Sequence, residues 1–374
     1  MNTPTINNLI KLTMKTGIVA QNYELFKGYP DVICFKNHLF VVHNEALAHA
    51  SYGKTSIIIS ASKLKPNEPS LDEPSSDDFE MQKYGDFDFK DIDTIFKGTS
   101  GRWNCPRFSI IENKLWVFCD YIDQKYPTDF GNNENNPNRT RVYMVSSSDG
   151  FVWSQPIVTN LKGILPSKII HYGTDYYIAT HLRDLRPRGY KLWRSNMAHQ
   201  FIWKTKNVSS GRWVLDKTIK KRKLNLCEGH LFLYGDHLAC MMRENSGLGL
   251  PAYYAVRDFH KKRWSKVKET RFYGCHRPTI DKLMSENYLI TYREQVSAYS
   301  DKTWASNTIA CLTQGGDFNT FRKFPINYDT AIIPDGGYTG WVQLDDRSLV
   351  IVNYITGDAP EPYIIWHHLT EHDI

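Results

Sequence analysis

One arrangement of hydrophobic and polar positions recurs along the chain at roughly fifty- to sixty-residue intervals, the range in which repeats form propeller blades or solenoids. Each unit opens on a small or proline-containing turn and runs through an apolar strand. It then crosses a polar turn of two or three residues and returns as a strand of aromatic and β-branched residues. The first unit is Gly28-Tyr29-Pro30-Asp31-Val32-Ile33, turning at Lys36-Asn37-His38 into Leu39-Phe40-Val41-Val42. The second is Cys105-Pro106-Arg107-Phe108-Ser109-Ile110, turning at Glu112-Asn113-Lys114 into Leu115-Trp116-Val117-Phe118. Leu165 to Ile170 leads through Gly173-Thr174-Asp175 into Tyr176 to Ala179, and Glu228 to Leu233 through Gly235-Asp236-His237 into Leu238 to Met242. Arg277-Pro278-Thr279-Ile280 leads through Ser285-Glu286-Asn287 into Tyr288 to Arg293, and Gly337 to Val342 through Asp345-Asp346-Arg347 into Leu349 to Val352.

Further strands follow each hairpin, at Thr55 to Ser60, Arg141 to Ser146, Tyr190 to Arg194, Tyr253 to Arg257, Asn307 to Leu312 and Tyr363 to His367. Four strands make a blade, and radial closure hides the two edges that an isolated blade exposes. The pattern therefore predicts an all-β fold, a six-bladed β-propeller of four-stranded antiparallel blades that forms one domain over residues 1–374. Ile18 to Phe26 is expected to supply the outer strand of the last blade and so join the two ends of the chain. A two-sheet sandwich is the alternative use of the same strands. Residues 63–93, rich in Pro, Ser and Asp, break the pattern and read as a surface insertion between the first two blades, a solvated loop or a lid.

Composition narrows the function. With 13% aromatic and 23% charged residues in 374, the chain has material for an extensive core, and disorder is excluded. The net charge of +6 is small, and the basic cluster Lys217, Lys220, Lys221, Arg222, Lys223 reads as a solvated loop. Without spaced basic residues and stacking aromatics, a nucleic-acid partner has no support, while an anionic small ligand needs only a local positive site. The seven cysteines show no zinc-site spacing and read as buried free thiols, which argues against an oxidising compartment. The N-terminus lacks the uninterrupted apolar stretch of a signal peptide, and no apolar run is long enough to span a bilayer, so a cytoplasmic location is expected. No nucleotide-binding loop, serine triad or metal cluster stands out, and no cofactor is expected.

Ser147-Ser148-Asp149-Gly150-Phe151-Val152-Trp153 is similar to the Asp box of sialidase-type propellers, a structural turn in which Asp and Ser satisfy backbone groups and Trp packs between sheets. Looser copies occur at Arg194 to Trp203, at Arg257-Asp258 with Trp264, and around Asp301 to Trp304. Glu228 and Arg243 stand fifteen residues apart (243 − 228) on the inner strands of the fourth unit. Pro334-Asp335-Gly336-Gly337-Tyr338-Thr339-Gly340 resembles the glycine-flanked tyrosine of the sialidase superfamily. The resemblance implies a six-bladed propeller in which Tyr338 is the nucleophile, Glu228 its base, and Arg243 and Arg293 grip a substrate carboxylate. A phenol is a weak nucleophile at neutral pH unless a carboxylate takes its proton, and guanidinium forks bind carboxylates bidentately.

Two features depart from that family. Gly28-Tyr29-Pro30 stands where sialidases carry Arg-Ile-Pro, so one carboxylate-binding arginine is missing, with Arg107 or Arg277 as substitutes. The loop expected to hold the acid/base Asp reads His43-Asn44-Glu45-Ala46-Leu47-Ala48-His49, which leaves Glu45 or His49 to donate a proton. Asp31, after the first blade's proline, is a further residue expected to line the axis. A similar histidine and a similar glycine-flanked tyrosine mark a group of sialidase-like bacterial propellers, to which the chain is nearer than to true sialidases. The expected function is exo-acting hydrolysis of an acidic or sialic-acid-like terminal sugar. The alternatives are a polysaccharide lyase or other glycosidase on the same fold, with His49 or Tyr338 as base, and an inactive glycan-binding propeller.

Overall fold

Residues 14–49, 51–65, 84, 86–124, 139–183, 198–246, 249–258, 260–297 and 304–374 are described by the structure, a computed structural model. Successive side chains of a strand point to opposite faces of its sheet, and in the inner hairpins both faces are buried. In β3 (His38–Ala46), Leu39 and Val41 pack on one side against the last blade, while Phe40 and Val42 pack on the other against the second. The same division separates Leu238, Cys240 and Met242 from Ala239 and Met241 in β15 (His237–Glu244). Apolar runs without a polar face therefore become strands sandwiched between sheets, and each of six apolar clusters fills the space between two neighbouring blades.

β1 (Lys15–Ala20) lies outside the consecutive order. The first blade runs β2 (Phe26–Phe35), β3, β4 (Thr55–Lys63), β5 (Lys90–Gly98), and the second β6 (Arg102–Ile111), β7 (Lys114–Ile122), β8 (Thr140–Ser147), β9 (Ile157–Val158). The third holds β10 (Ile170–Tyr172) to β13 (Val214–Ile219), with β11 (Asp175–Arg183) and β12 (Ala198–Thr205) between them. In the fourth, β14 (Leu226–Tyr234), β15 and β16 (Pro251–Asp258) are followed by an outer edge split between β17 (Arg263–Trp264) and β18 (Lys268–Tyr273), both paired to β16. The fifth runs β19 (Cys275–Lys282), β20 (Tyr288–Ser297), β21 (Trp304–Thr313), β22 (Phe321–Tyr328). The sixth is β23 (Thr339–Gln343), β24 (Ser348–Ile355), β25 (Tyr363–Thr370) and then β1, paired antiparallel from Lys15 opposite His368 to Ala20 opposite Ile364.

Three expectations shift. The closing strand begins and ends earlier than Ile18 to Phe26, because an Asx turn with Asn22 Oδ1 accepting from the Glu24 N–H ends it, and Phe26 already opens β2. The interruption at 63–93 joins β4 to β5 inside the first blade rather than linking two blades. Most of it, 66–83 and 85, lies outside the described residues, but Tyr84 and Phe87 are buried in the cluster between the sixth and first blades. Tyr190 to Arg194 also lies outside the described residues, and the third strand of that blade is β12.

The turn at Ser147 to Trp153 is held by its own polar side chains. Asp149 Oδ1 accepts from the Phe151 and Val152 N–H groups and the Ser147 hydroxyl, while Ser147 Oγ accepts from the Gly150 N–H. Trp153 pairs back to Ser147 and packs against the cluster between the first two blades. Among the described residues no helix is long and apolar enough to cross a membrane.

Candidate active site

The element that positions the site is a bulge near the start of each blade's first strand. Tyr29, Cys105, Leu165, Glu228 and Arg277 all have φ between 46° and 54°. The residue after each is Pro or Gly, and in the sixth blade Gly337, at φ 86°, comes before Tyr338. In four blades the ladder skips at this point, between Gly28 and Asp31, Asn104 and Arg107, Cys227 and His230, and His276 and Thr279. A left-handed backbone costs a non-glycine residue about 1–3 kcal/mol, and a bulge re-aims the side chain it carries. The sequence pattern reads these segments as turns before the strand; they are irregularities within or beside the strand that swing one side chain from each blade towards the axis. Tyr29, Cys105, Leu165 and Tyr338 meet there in one apolar cluster, and Arg277 Cζ lies 5.9 Å from the Tyr29 ring and 5.5 Å from that of Tyr338.

Around Tyr338 the polar groups are tightly organised. Its hydroxyl donates to Glu228 Oε1 at 3.2 Å and accepts from Arg293 Nη2 at 2.9 Å, with the Arg293 guanidinium 4.1 Å above its ring. Arg243 donates through Nη1 to Glu228 Oε1 at 2.6 Å and through Nη2 to Asn245 Oδ1 at 2.7 Å. His276 Nδ1 is 3.1 Å from Arg293 Nη2, and the Glu228 N–H donates to His181 Nδ1. Burial pushes the Glu228 carboxyl up, but the guanidinium charges of Arg243 and Arg293 overcome it and hold the group at about 2. Burial drives Tyr338 above the ordinary phenol range against the opposing pull of Arg293, so the phenol is un-ionised at rest. Burial, Arg243 and Arg293 keep His276 neutral, which suits its acceptor role. Both Nη atoms of the buried Arg277, and Glu228 Oε2, have no hydrogen-bond partner among the described residues.

The other expected residues are placed elsewhere or differently. Two positions along from the bulged residues, a second axial tier contains Asp31, Arg107, His230 and Thr279. Arg107 donates to Asp31 Oδ1 at 3.0 Å, to the Thr339 carbonyl at 3.1 Å and to Thr279 Oγ1 at 3.3 Å, while Asp31 Oδ2 accepts from the Phe108 N–H. Arg107 and Asp31 thus saturate each other. Arg107, Leu165, Glu228, His230 and Arg277 line a cavity of about 10 Å³, room for one water, so the polar tier plugs the axis below Tyr338. Glu45 is paired to Lys27 at 2.6 Å on the first blade. His49 sits over the cluster, with Nε2 2.9 Å from Tyr29 Oη and Nδ1 2.7 Å from Asp335 Oδ2. Tyr29, His276 and Asp335 join the site without a sequence signal of their own; for Tyr29 the available cue is its place before Pro30, matching Arg277 before Pro278. Among the described residues no group of three His, Cys, Asp or Glu side chains is arranged to hold a metal ion. A wider cavity of about 1120 Å³ lies among hairpin turns of the third, fourth and fifth blades, lined in part by Tyr172, Tyr234, His237 and Tyr288, and holds none of the residues above.

No family model and no curated protein matches the sequence. Among solved structures, a protein of unknown function from Dyadobacter fermentans superposes with a TM-score of 0.72 at 14% identity, covering 96% of this chain and 99% of that one. A Hadza microbial sialidase superposes with a TM-score of 0.65 at 13% identity, over 93% of this chain and 66% of that one. A mutant of Trypanosoma rangeli sialidase displaying trans-sialidase activity gives 0.62 at 8% identity, over 96% and 59%. The chain spans just under two thirds of the first of these two sialidases and less of the second, and at such identities the likeness is one of fold.

Proposed function

From a sialidase-like six-bladed propeller whose axial tyrosine lies between a carboxylate and an arginine, we propose an exo-acting glycoside hydrolase for an acidic, sialic-acid-like terminal sugar. The supporting observation is the Tyr338 hydroxyl, which donates to Glu228 and accepts from Arg293 at one point on the axis. In the reaction, Tyr338 Oη forms a bond to the anomeric carbon as the bond to the departing oxygen breaks. Its proton passes to Glu228 Oε1. With Glu228 near 2 and the phenol above its usual range, full transfer before attack is uphill, so the proton leaves only as the C–O bond forms. A neutral nucleophile also avoids repulsion with the substrate's own carboxylate, and sialidases are among the glycosidases that depart from the two-carboxylate scheme. Water then cleaves the tyrosyl intermediate and the proton returns.

Three arginines flank the nucleophile, all from the fourth and fifth blades. Arg243 and Arg293 are already engaged with Glu228 and Tyr338, whereas Arg277, buried beside the Cys105 thiol, has no carboxylate or carbonyl on its terminal nitrogens among the described residues and so keeps its fork for an acid group that reaches it. Arg277 would thereby take the part of the arginine missing before Pro30. Incubation with sialylated and uronate-bearing glycans should release a free sugar, and Tyr338→Phe should abolish release; full activity of that variant removes Tyr338 from the chemistry. Elimination by a lyase is the second reading, favoured by His49, whose Nε2 lies 2.9 Å from Tyr29 Oη beside the nucleophile, and unsaturated product seen by ultraviolet absorbance would mark it. Binding across the glycan panel without turnover would instead identify a glycan-binding propeller.

A further inference from the structure

Arg293 donates to the nucleophile, yet no carboxylate among the described residues holds it there. Glu228 is paired to Arg243, and Glu294, the next residue along the chain from Arg293, is paired to Lys323. The place of Arg293 is set by the ladder instead. β19 and β20 put His276 directly opposite it, just before the pairing skips to Thr279. Side chains opposite each other on paired strands have Cβ atoms about 4.5–5.5 Å apart, close enough for their heads to meet. From there His276 Nδ1 lies 3.1 Å from Arg293 Nη2, the same nitrogen that donates to Tyr338 Oη at 2.9 Å. The stem is confined as well, because a Cβ on Gly337 would stand 2.9 Å from Arg293 Cγ and 3.1 Å from its Cβ. Both hydrogens of Nη2 are thereby used, while Nε is buried without a partner and Nη1 donates to no group among the described residues.

We infer that His276 is a positioning residue, the clamp that fixes the Arg293 fork against Tyr338 and leaves its charge for the acid group of a substrate, a reading that rests on the proposed glycosidase. The clamp must accept a hydrogen bond, since an imidazolium would set N–H against N–H. A carboxylate would accept too, but its charge would offset that of Arg293 and compete with an anionic ligand for the same fork. A histidine that carries its proton on Nε2 accepts through Nδ1 and brings no charge. Arg243 and Glu228 face the ring from the fourth blade and Arg293 from its own. Burial, with Arg243 and then Arg293 beside it, keeps the imidazole from protonating until well below the usual histidine range, against the pull of Glu228. The bulge that follows turns the next residue, Arg277, to the axis at φ 48°. Two neighbours on one strand thus divide the work: His276 holds an arginine in place, and Arg277 is an arginine kept open.

Two substitutions separate holding the guanidinium from filling space. Asn sets an amide oxygen close to the place of His276 Nδ1, whereas Leu fills the site with no acceptor. With a sialic acid glycoside bearing a fluorogenic phenol as probe, His276→Leu should lower kcat/KM about 10²-fold, with at least about tenfold of it in KM, because Arg293 loses its aim at the substrate's acid group as well as at Tyr338. His276→Asn should bring kcat/KM back to within about tenfold of the wild type. Equal losses in the two variants, or none in His276→Leu, overturn the clamp. Nitrogen-15 spectra of the His276 ring test it without substrate: the neutral ring should be the Nε2–H tautomer, with an Nδ1 resonance that moves in Arg293→Met. An Nδ1–H tautomer, or an Nδ1 shift indifferent to Arg293→Met, also overturns it. If the wild-type protein cleaves neither the probe nor any glycan of the panel, the glycosidase reading fails, and the nitrogen spectra still decide whether His276 holds Arg293.

Discussion

A buried guanidinium with two unsatisfied nitrogens is a cost the fold carries, and Arg277 is that residue. It lies to one side of the Tyr29 and Tyr338 rings and beside Cys105, with no carboxylate within hydrogen-bonding distance among the described residues. Replacing such a group by an apolar one of similar length removes the desolvation penalty, often worth about 1–4 kcal/mol. Arg277→Met should therefore raise the denaturant midpoint while lowering kcat/KM on an acidic glycoside about a hundredfold; a variant that is less stable and fully active would contradict both halves. Asp120, fully buried near the same tier, is pushed up to about 7 by burial, against the Arg102 charge and the Leu165 N–H. An acid whose folded value is raised favours folding below its unfolded value near 4 and loses that contribution as pH rises to the folded value. Thermal stability should accordingly drop between about pH 4 and 7 by an amount of order a few kcal/mol. Asp120→Asn keeps an acceptor for Leu165 and offers a donor to Asn104 Oδ1, which has no partner among the described residues, so its melting temperature should not share this drop.

At the scale of elements, the bulge decides what the strand beneath it can present. Hairpins, inter-sheet alternation and blade number are legible in the sequence because they depend on neighbours two residues apart and on turns such as Lys36-Asn37 and Gly235-Asp236. The bulges are not, since a proline or glycine near a strand's start reads equally well as a turn, and only the ladder shows that Tyr29 and Arg277 belong to the axis. The polar partners were hidden for a different reason. Asp335 meets His49 across 286 positions of sequence, a contact set by closure and by no local preference. The sixth blade approaches the first closely where Gly340 lies against the first inner strand. A Cβ there would stand 2.5 Å from Asp31 Oδ1 and 2.7 Å from the Asp31 backbone, and backbone cannot step aside. Gly340→Ala should part the two strands and disturb the Asp31–Arg107 pair, with a loss of about 1–3 kcal/mol on chemical denaturation; an unchanged midpoint would show the contact to be slack.

Across the whole molecule, the site exists only because the ring closes. Glu228 and Arg243 come from the fourth blade, Arg277 and Arg293 from the fifth, Tyr338 and Asp335 from the sixth, and Tyr29 and His49 from the first. The first and sixth blades are neighbours through the cluster that joins Val32, Leu39 and Val41 to Val350, Val352 and Trp366, and through the pairing of β1 with β25. β1 connects directly to the first blade and pairs in the sixth, so it is the clasp that converts a row of sheets into a circle and covers the last exposed edge. Its fit is close at Gly17, where a Cβ would lie 2.6 to 2.7 Å from three atoms of the Trp366 indole. Gly17→Val cannot seat β1 without turning that indole out of the cluster, so the clasp should open. The expected signature is a lower melting temperature with Trp366 fluorescence shifted towards that of exposed indole. Loss of activity should accompany it, since the His49 and Tyr338 sides of the site are held together by the same closure. If Gly17→Val melts like the wild type and keeps its fluorescence, closure must rest on the apolar cluster alone, and the two ends of the chain need not pair for the axis to form.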